Sequence, residues 1–247
     1  MKDKIAFLEA VWPAPANIIA GTTLRQCGLS GGAYTALNIG AHVGDDVIAV
    51  SENRSLLRTS LSLSEEPCWL NQVHGSEVAI NPCNKTTVTA DASIATIKNK
   101  VCVVMTADCL PLLITNTSGS MVAAIHAGWR GLASGVIENT IAAMNCNVNE
   151  ILVWLAPAIS QSAFEVGDEV REIFQQENIN FLECFKINSR KRWQADIYQL
   201  AKINLNALGI YNIFGGKDCT YSDSEKFYSY RRDGVCGRMA SLIYMKS

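Results

Sequence analysis

The chain has 247 residues, 49% hydrophobic and 18% charged, with 21 Lys and Arg against 23 Asp and Glu. Such a composition belongs to a globular protein that can bury a sizeable core. A formal charge of −2 leaves no electrostatic case for a nucleic-acid or membrane-surface partner.

No stretch approaches the roughly 20 apolar residues of a membrane span. The opening MKDKIAFLEAVWPAPA imitates a signal peptide, but Glu9 interrupts it before an adequate apolar region builds up. Nine cysteines, an odd number with no C-x-x-C pair, argue against a disulfide framework and for a reducing compartment. The expectation is a soluble, cytoplasmic protein. No Pro/Ser-rich linker divides it, which predicts one domain over residues 1–247.

In chain order, Ile18 to Ala20 predicts a short strand. Six glycines then fall between positions 21 and 44, around GLSGGAYTALNIGAHVGDD, and imply turns and close backbone approaches. Asp45 and Asp46 place acidic side chains at the positive end of a helix dipole. Val47, Val50, Leu57 and Leu61 share one face of that helix, and Arg54 falls on the same face. A snorkelling or ion-paired arginine is the ordinary explanation; an anion ligand is the functional one.

PCWLNQVHGSEVAI reads as two strand pieces around Val73-His74-Gly75. Two apolar runs follow, Val101 to Met105 and Met121 to Ile125, with a turn-like Asn116-Thr-Ser-Gly119 before the second. Ser134 is expected to cap a helix that buries Val136, Ile137, Ile141 and Met144. ILVWLAPAI reads as a buried strand ending at Pro157. Further helices are expected from Gly167 to about Gln176 and from Asp196 to Leu208, with Gly209 as the stop. The basic run Lys186 to Arg192 reads as a solvated loop, and FYSYRRDGVCGRMASLIYM as strand, turn, strand. Without strict βαβ alternation, the class is α+β (mixed α/β layers), with layered sheets flanked by helices.

Both apolar runs stop at reactive groups. The first ends in Thr106-Ala107-Asp108-Cys109, the second in His126-Ala-Gly-Trp-Arg-Gly, and His74 likewise precedes a glycine. One thiolate with two imidazoles is a zinc-type donor set. Three protein ligands with an open fourth position is the catalytic arrangement, which brings a bound water's pKa to about 7. The spacings of 35 and 17 residues put no two of these groups on one helix, so spacing alone does not unite them. Other readings stay open. Cys109 and His126 suit a nucleophile–base pair, and Asp108 suits a general base or the group that orients one. The same donors bind copper more tightly than zinc. Nucleotide-binding motifs are absent: FGGKD lacks the rest of a P-loop, and no G-x-G-x-x-G occurs.

GAYTALNIGAHVGDD, NQVHGSEV, TADCLPLLI, AAIHAGWRGLASGV, FEVGDEV, DIYQLA and CTYSDSEKFYSYRRDGVCGRMAS together resemble the bacterial YfiH-type, or laccase-domain (polyphenol oxidoreductase), family, now regarded as purine nucleoside phosphorylases. The resemblance runs in order through nearly the whole chain. It implies zinc held by His74, Cys109 and His126, with copper able to substitute. It implies phosphorolysis of adenosine, inosine, guanosine and S-methyl-5′-thioadenosine, with adenosine deaminase as a second activity. Arg54 falls where the family places an active-site arginine. Arg25 and Arg231 are weaker substrate-binding candidates, and Asp108 is a candidate proton shuttle. Phe164, Tyr228 and Tyr230 are candidates for stacking on the purine. His42, Cys219 and Cys236 are expected to be structural. Cys27-Gly28 and Ala156-Pro157 stand where relatives tend to carry Gly-Gly and Gly-Pro, which puts local loop shape in question. The family is also linked to peptidoglycan-precursor editing and to copper-dependent polyphenol oxidation, and these remain alternatives, as does a nucleoside- or metal-binding protein without turnover. The expected partners are nucleosides and phosphate, with the chain a monomer or homodimer.

Overall fold

A computed structural model describes residues 4–83 and 87–247. The strands are β1 (Phe7–Glu9), β2 (Ile18–Thr23), β3 (Val78–Ile80), β4 (Ala92–Ala95), β5 (Cys102–Thr106), β6 (Leu110–Asn116), β7 (Val122–Ala127), β8 (Ile151–Leu155), β9 (Glu165–Val166), β10 (Phe185–Ile187), β11 (Trp193–Ala195), β12 (Ile213–Gly215) and β13 (Met239–Met245). The helices are α1 (Val47–Ser60), α2 (Trp129–Ala133), α3 (Val136–Met144), α4 (Asp168–Glu177), α5 (Ile197–Ala207) and α6 (Tyr230–Asp233). One sheet runs β1-β2-β13-β5, a second β12-β8-β6-β7-β4-β3, and a small third β10-β11-β9. The α+β class expected from the sequence is the class observed.

Side-chain alternation explains why these sheets stack. Cys102 and Val104 of β5 pack with Ile243 of β13 and Ile18 of β2 against Leu113, Ala124 and Trp154 of the six-stranded sheet. The alternate residues Val103 and Met105 turn the other way, with Leu242, onto Leu57 of α1 and onto Ile39. On the six-stranded sheet, Leu112, Ile114, Ile125 and Val153 face the opposite layer, where Val136 and Ile141 of α3 and Leu200 and Leu205 of α5 cover them. The layers therefore run helix, sheet, sheet, helices. A strand buried on both faces has no polar side to show. That is why β6 reads Leu-Pro-Leu-Leu-Ile-Thr with every residue buried.

Several local expectations change. Ser134 closes α2 instead of opening α3, whose N-cap is Gly135 with φ +79. Val47 is exposed at the start of α1, while Val50 and Leu57 form its buried stripe. Asp46 does cap that helix, accepting from the N–H groups of Ile48 and Ala49, both at 2.9 Å. The first half of PCWLNQVHGSEVAI makes only an isolated bridge, Asn71 to Thr89. The tail has no strand before its turn: Tyr230–Asp233 is a helical turn capped by the Ser229 hydroxyl. The basic run is a loop only in part. Lys186 belongs to β10, and Asn188 to Arg192 turn between β10 and β11, with Arg190 paired to Glu165. All nine cysteines are free thiols. Among the described residues no helix is long and apolar enough to cross a membrane.

Candidate metal centre

Register brings the distant donors together. β4 and β6 both pair antiparallel with β7, one on each side, with Ala92 opposite Ile125, Leu110 opposite Ala127 and Pro111 opposite His126. The residues just before β4 and β6, Asp91 and Cys109, therefore flank the end of β7 that carries His126. Only Ala107, Asp108 and Cys109 separate β5 from β6, although these strands lie in different sheets. The chain turns there with Asp108 at φ +89, a left-handed conformation rarely adopted by a residue with a side chain.

His74 arrives from the loop before β3, itself at φ +60. Its imidazole, the Cys109 thiol and the His126 imidazole each offer a ligand atom, and the three atoms lie within 4.8 Å of one another. The two rings meet edge to face, with centroids 4.6 Å apart. A Cβ built on Gly128 would stand 2.7 Å from His74 Nδ1 and 3.2 Å from Cys109 Sγ, so only glycine leaves this space open. His126 is buried, Cys109 half-buried and His74 exposed. One side of the group thus faces protein and the other faces out, as a three-ligand centre with a reachable fourth position requires. Soft sulfur with borderline nitrogen suits zinc or copper, so the donor set fits the metal that the sequence resemblance implied.

The sequence reading missed Asp91. Its fully buried carboxylate accepts from His126 Nδ1 at 2.7 Å and from the backbone N–H groups of Gly75 at 2.7 Å, His74 at 3.0 Å and Val73 at 3.2 Å. Burial alone would raise its pKa, but the hydrogen bonds from His126, Gly75 and Val73 hold it below the ordinary carboxylate value. Burial works against charge on His126, yet Asp91 and Cys109 outweigh it and lift the imidazole to about 9. His74 moves the opposite way. Burial first, and then the positive charges of His126, Arg130 and Arg238, hold it below the ordinary imidazole value despite Asp91.

Arg54 lies on α1 with its Nε donating to the Ile39 carbonyl at 3.0 Å and its guanidinium 4.2 Å from the centre of the Trp69 ring. Burial lowers its pKa while Glu66 opposes the shift. It forms part of the wall of a cleft of about 510 Å³ shared with Ser51, Ser55, Glu66 and Trp69; none of the three metal donors lines that cleft. His42 is the remaining histidine of the chain's three. It is exposed, and its imidazole is held low by burial and then by Arg238, Arg54 and His126. Asn53, buried on α1, ties this region together by accepting from Leu29 N–H and donating to Ser30 Oγ and the Asn38 carbonyl.

The other expected site residues fall elsewhere. Asp108 points away from the three donors; Oδ1 accepts from the Thr220 hydroxyl and Oδ2 from the Arg231 N–H, both at 2.7 Å. Arg25 gives its guanidinium to the carbonyls of Thr35 and Ser224. Arg231 donates from Nη1 to the Glu165 carbonyl at 2.8 Å. Tyr228 is corrected as a stacking candidate, because it is fully buried with its hydroxyl donating to the Tyr34 carbonyl; Phe164 is also in the core. Tyr230 alone of the three is exposed. Cys27 occupies a left-handed position at φ +63, and a Cβ on Gly28 would collide with the backbone of Ala36 and Leu37. This turn therefore needs glycine at 28 and holds Cys27 in a backbone conformation that glycine adopts more readily.

A family model described as multi-copper polyphenol oxidoreductase laccase matches residues 19–246. A purine nucleoside phosphorylase of Pseudomonas aeruginosa is 46% identical over 98% of this chain and 99% of its own length. The purine nucleoside phosphorylase YfiH of Escherichia coli is 46% identical over 95% of this chain and 96% of its own. A crystal structure of a Neisseria meningitidis protein of the family DUF152 superposes with a TM-score of 0.93 at 45% identity, covering 98% of this chain and 99% of that one.

Proposed function

The chain belongs to the laccase-like polyphenol oxidoreductase family, and on that premise we propose that it is a zinc-dependent purine nucleoside phosphorylase. The observation that carries this reading is the single Cys/His/His donor set. Among the described residues it is the one group of three or more His, Cys, Asp and Glu side chains placed to hold a metal. Such a set fits a one-metal hydrolytic or transfer centre better than a multicopper cluster, which needs several sets of ligands. The relatives' names supply the substrate class, a purine nucleoside and phosphate.

His74, Cys109 and His126 would hold the metal. When bound, zinc supplies Lewis acidity and an activated water. In phosphorolysis a phosphate oxygen bonds to the ribose C1′ as the bond from C1′ to the purine nitrogen breaks. The products are ribose 1-phosphate and the free base, with a proton taken up by the base. Arg54 is the phosphate ligand of this proposal, since a guanidinium held at Nε still presents a fork that matches an oxyanion. Arg54 and Arg238 act on His42, and Arg130 and Arg238 on His74, a positive field that favours binding of an anion. Asp108 acts by holding Thr220 and the start of α6, because its carboxylate is turned to them. Arg25 and Arg231 act as ties between loops. Adenosine deamination, and the choice among adenosine, inosine, guanosine and methylthioadenosine, rest on the family resemblance. A reducing compartment, the cytoplasm, belongs to the same reading and is supported by the nine free thiols.

The test is chromatography of inosine and adenosine incubated with the metal-assayed protein, with and without phosphate. Phosphate-dependent release of base and ribose 1-phosphate is expected, lost in C109A. Base release independent of phosphate, or full activity in C109A, overturns the reading. Oxidation of phenols only after copper is added would mark the oxidase activity as a product of metal substitution.

A further inference from the structure

Asp91 joins two of the three donors, which the chain brings together from positions as far apart as His74 and His126. Toward His126 it receives the ring proton on Nδ1, and its own carbonyl accepts the His126 backbone N–H at 2.7 Å. Toward His74 it receives three consecutive N–H groups, those of Val73, His74 and Gly75. The loop there is left-handed at His74, a conformation that a residue with a side chain adopts only when its surroundings hold it. Four donors entering one fully buried carboxylate leave it well satisfied. They also fix two separate things, the ring tautomer of one donor and the backbone turn that delivers the other.

We propose that Asp91 is the positioning residue of the metal centre. It holds His126 as the Nδ1–H tautomer with the Nε2 lone pair directed to the metal, and it holds the Val73–Gly75 turn so that His74 completes the set. This inference rests on the metal-binding reading above. A carboxylate is suited to both tasks because it only accepts: every group facing it is a donor. The amide of D91N cannot do this. Its NH₂ must take the place of Oδ1, facing the ring nitrogen and the His74 N–H, or of Oδ2, facing the N–H groups of Val73 and Gly75. Facing the ring, it would donate to Nδ1 and drive the imidazole to the Nε2–H tautomer, which has no lone pair for a metal. The equivalent acid-to-amide change disables a Ser-His-Asp triad through the wrong tautomer. Removing such an outer carboxylate typically weakens metal binding about 10–100-fold.

The experiment measures zinc affinity of the full-length protein by competition with a chromophoric chelator, in the wild type and in D91N. Circular dichroism and thermal melting of the metal-free forms accompany it. The expected result is a Kd raised about 10–100-fold in D91N with the secondary structure retained. A wild-type Kd in folded D91N overturns the positioning role while leaving the metal centre standing. Failure of the wild type to take up zinc overturns the metal reading itself, and this inference with it. If D91N does not fold, the wild type alone decides through ¹⁵N NMR of the imidazoles with and without zinc. A His126 ring with the metal on Nε2 and a retained, exchange-protected Nδ1–H supports the proposal. Metal on Nδ1, or loss of that proton, overturns it.

Discussion

Thr89-Ala90-Asp91 and Thr106-Ala107-Asp108 are the same three residues, and each precedes a strand that flanks β7. Both aspartates are buried and both accept a remote backbone N–H. Yet one faces the candidate metal centre, and the other faces a hydroxyl and a backbone amide elsewhere in the fold. Asp91 faces His126. Asp108 turns, at φ +89, toward Thr220 and Arg231, which leaves the next residue, Cys109, to face the centre. Identical local sequence therefore meets different partners because different segments lie within reach of each carboxylate. The lesson concerns buried acids in general: their function is set by which donors the tertiary structure brings to them.

The sharpest way to break this comparison is at the space beside the donors. G128V would drive a side chain into His74 Nδ1 and Cys109 Sγ. Zinc affinity should fall more than about 100-fold, beyond the usual loss from an outer-shell change, and retention of wild-type affinity by chelator competition would show that the donors do not share that space. D108A tests the other aspartate. It leaves the buried Thr220 hydroxyl and the Arg231 N–H without their acceptor and should cost roughly 3–4 kcal/mol in denaturant unfolding. The same variant should change zinc affinity much less than D91N does. A D108A protein that is stable but cannot bind zinc would reverse the two roles.

pH gives a third comparison, on metal-free protein. His126 is raised to about 9, above its ordinary 6.5. The stability that its proton contributes is thus complete below about pH 6.5 and disappears as pH climbs through 9. The melting temperature of wild type should fall across that window by an amount worth a few kcal/mol, and the fall should be much smaller in D91N. An equal fall in both proteins would mean that Asp91 does not hold the ring proton. The smallest expected effect is in T220V, which removes one partner of Asp108 and should cost about 1 kcal/mol, with zinc affinity unchanged. A measurable loss of zinc binding there would connect Asp108 to the metal after all.

Much of the outline was legible from residue patterns. Asp46 announced the start of α1, and the apolar runs that became β5, β7 and β8 were buried as expected. The thiol and imidazoles stood out because each closed an apolar run or preceded a glycine, and the resemblance tied them into one set. Less legible was anything that depended on a distant partner. Nothing local in the sequence distinguishes Tyr228 from an exposed aromatic, yet its ring is sealed in the core beneath the Arg25 guanidinium. Ser134 looked like a cap until α2 claimed it. Asp91, in an ordinary Thr-Ala-Asp-Ala, carried no local sign of four hydrogen bonds arriving from residues 73–75 and 126.

By itself the sequence determined the elements whose causes are local: a capping carboxylate within three residues of the amides it satisfies, a period-two or period-3.6 pattern, a glycine where a side chain has no room. Only the tertiary structure decided that β5 and β6 part into different sheets, that β4 and β6 embrace β7, and that Asp91 and Cys109 meet His126 from its two sides. The reason is physical. Capping and periodicity act over a few residues of chain, whereas strand register is chosen by burial summed over whole faces, and a site assembled at strand ends inherits its geometry from that choice.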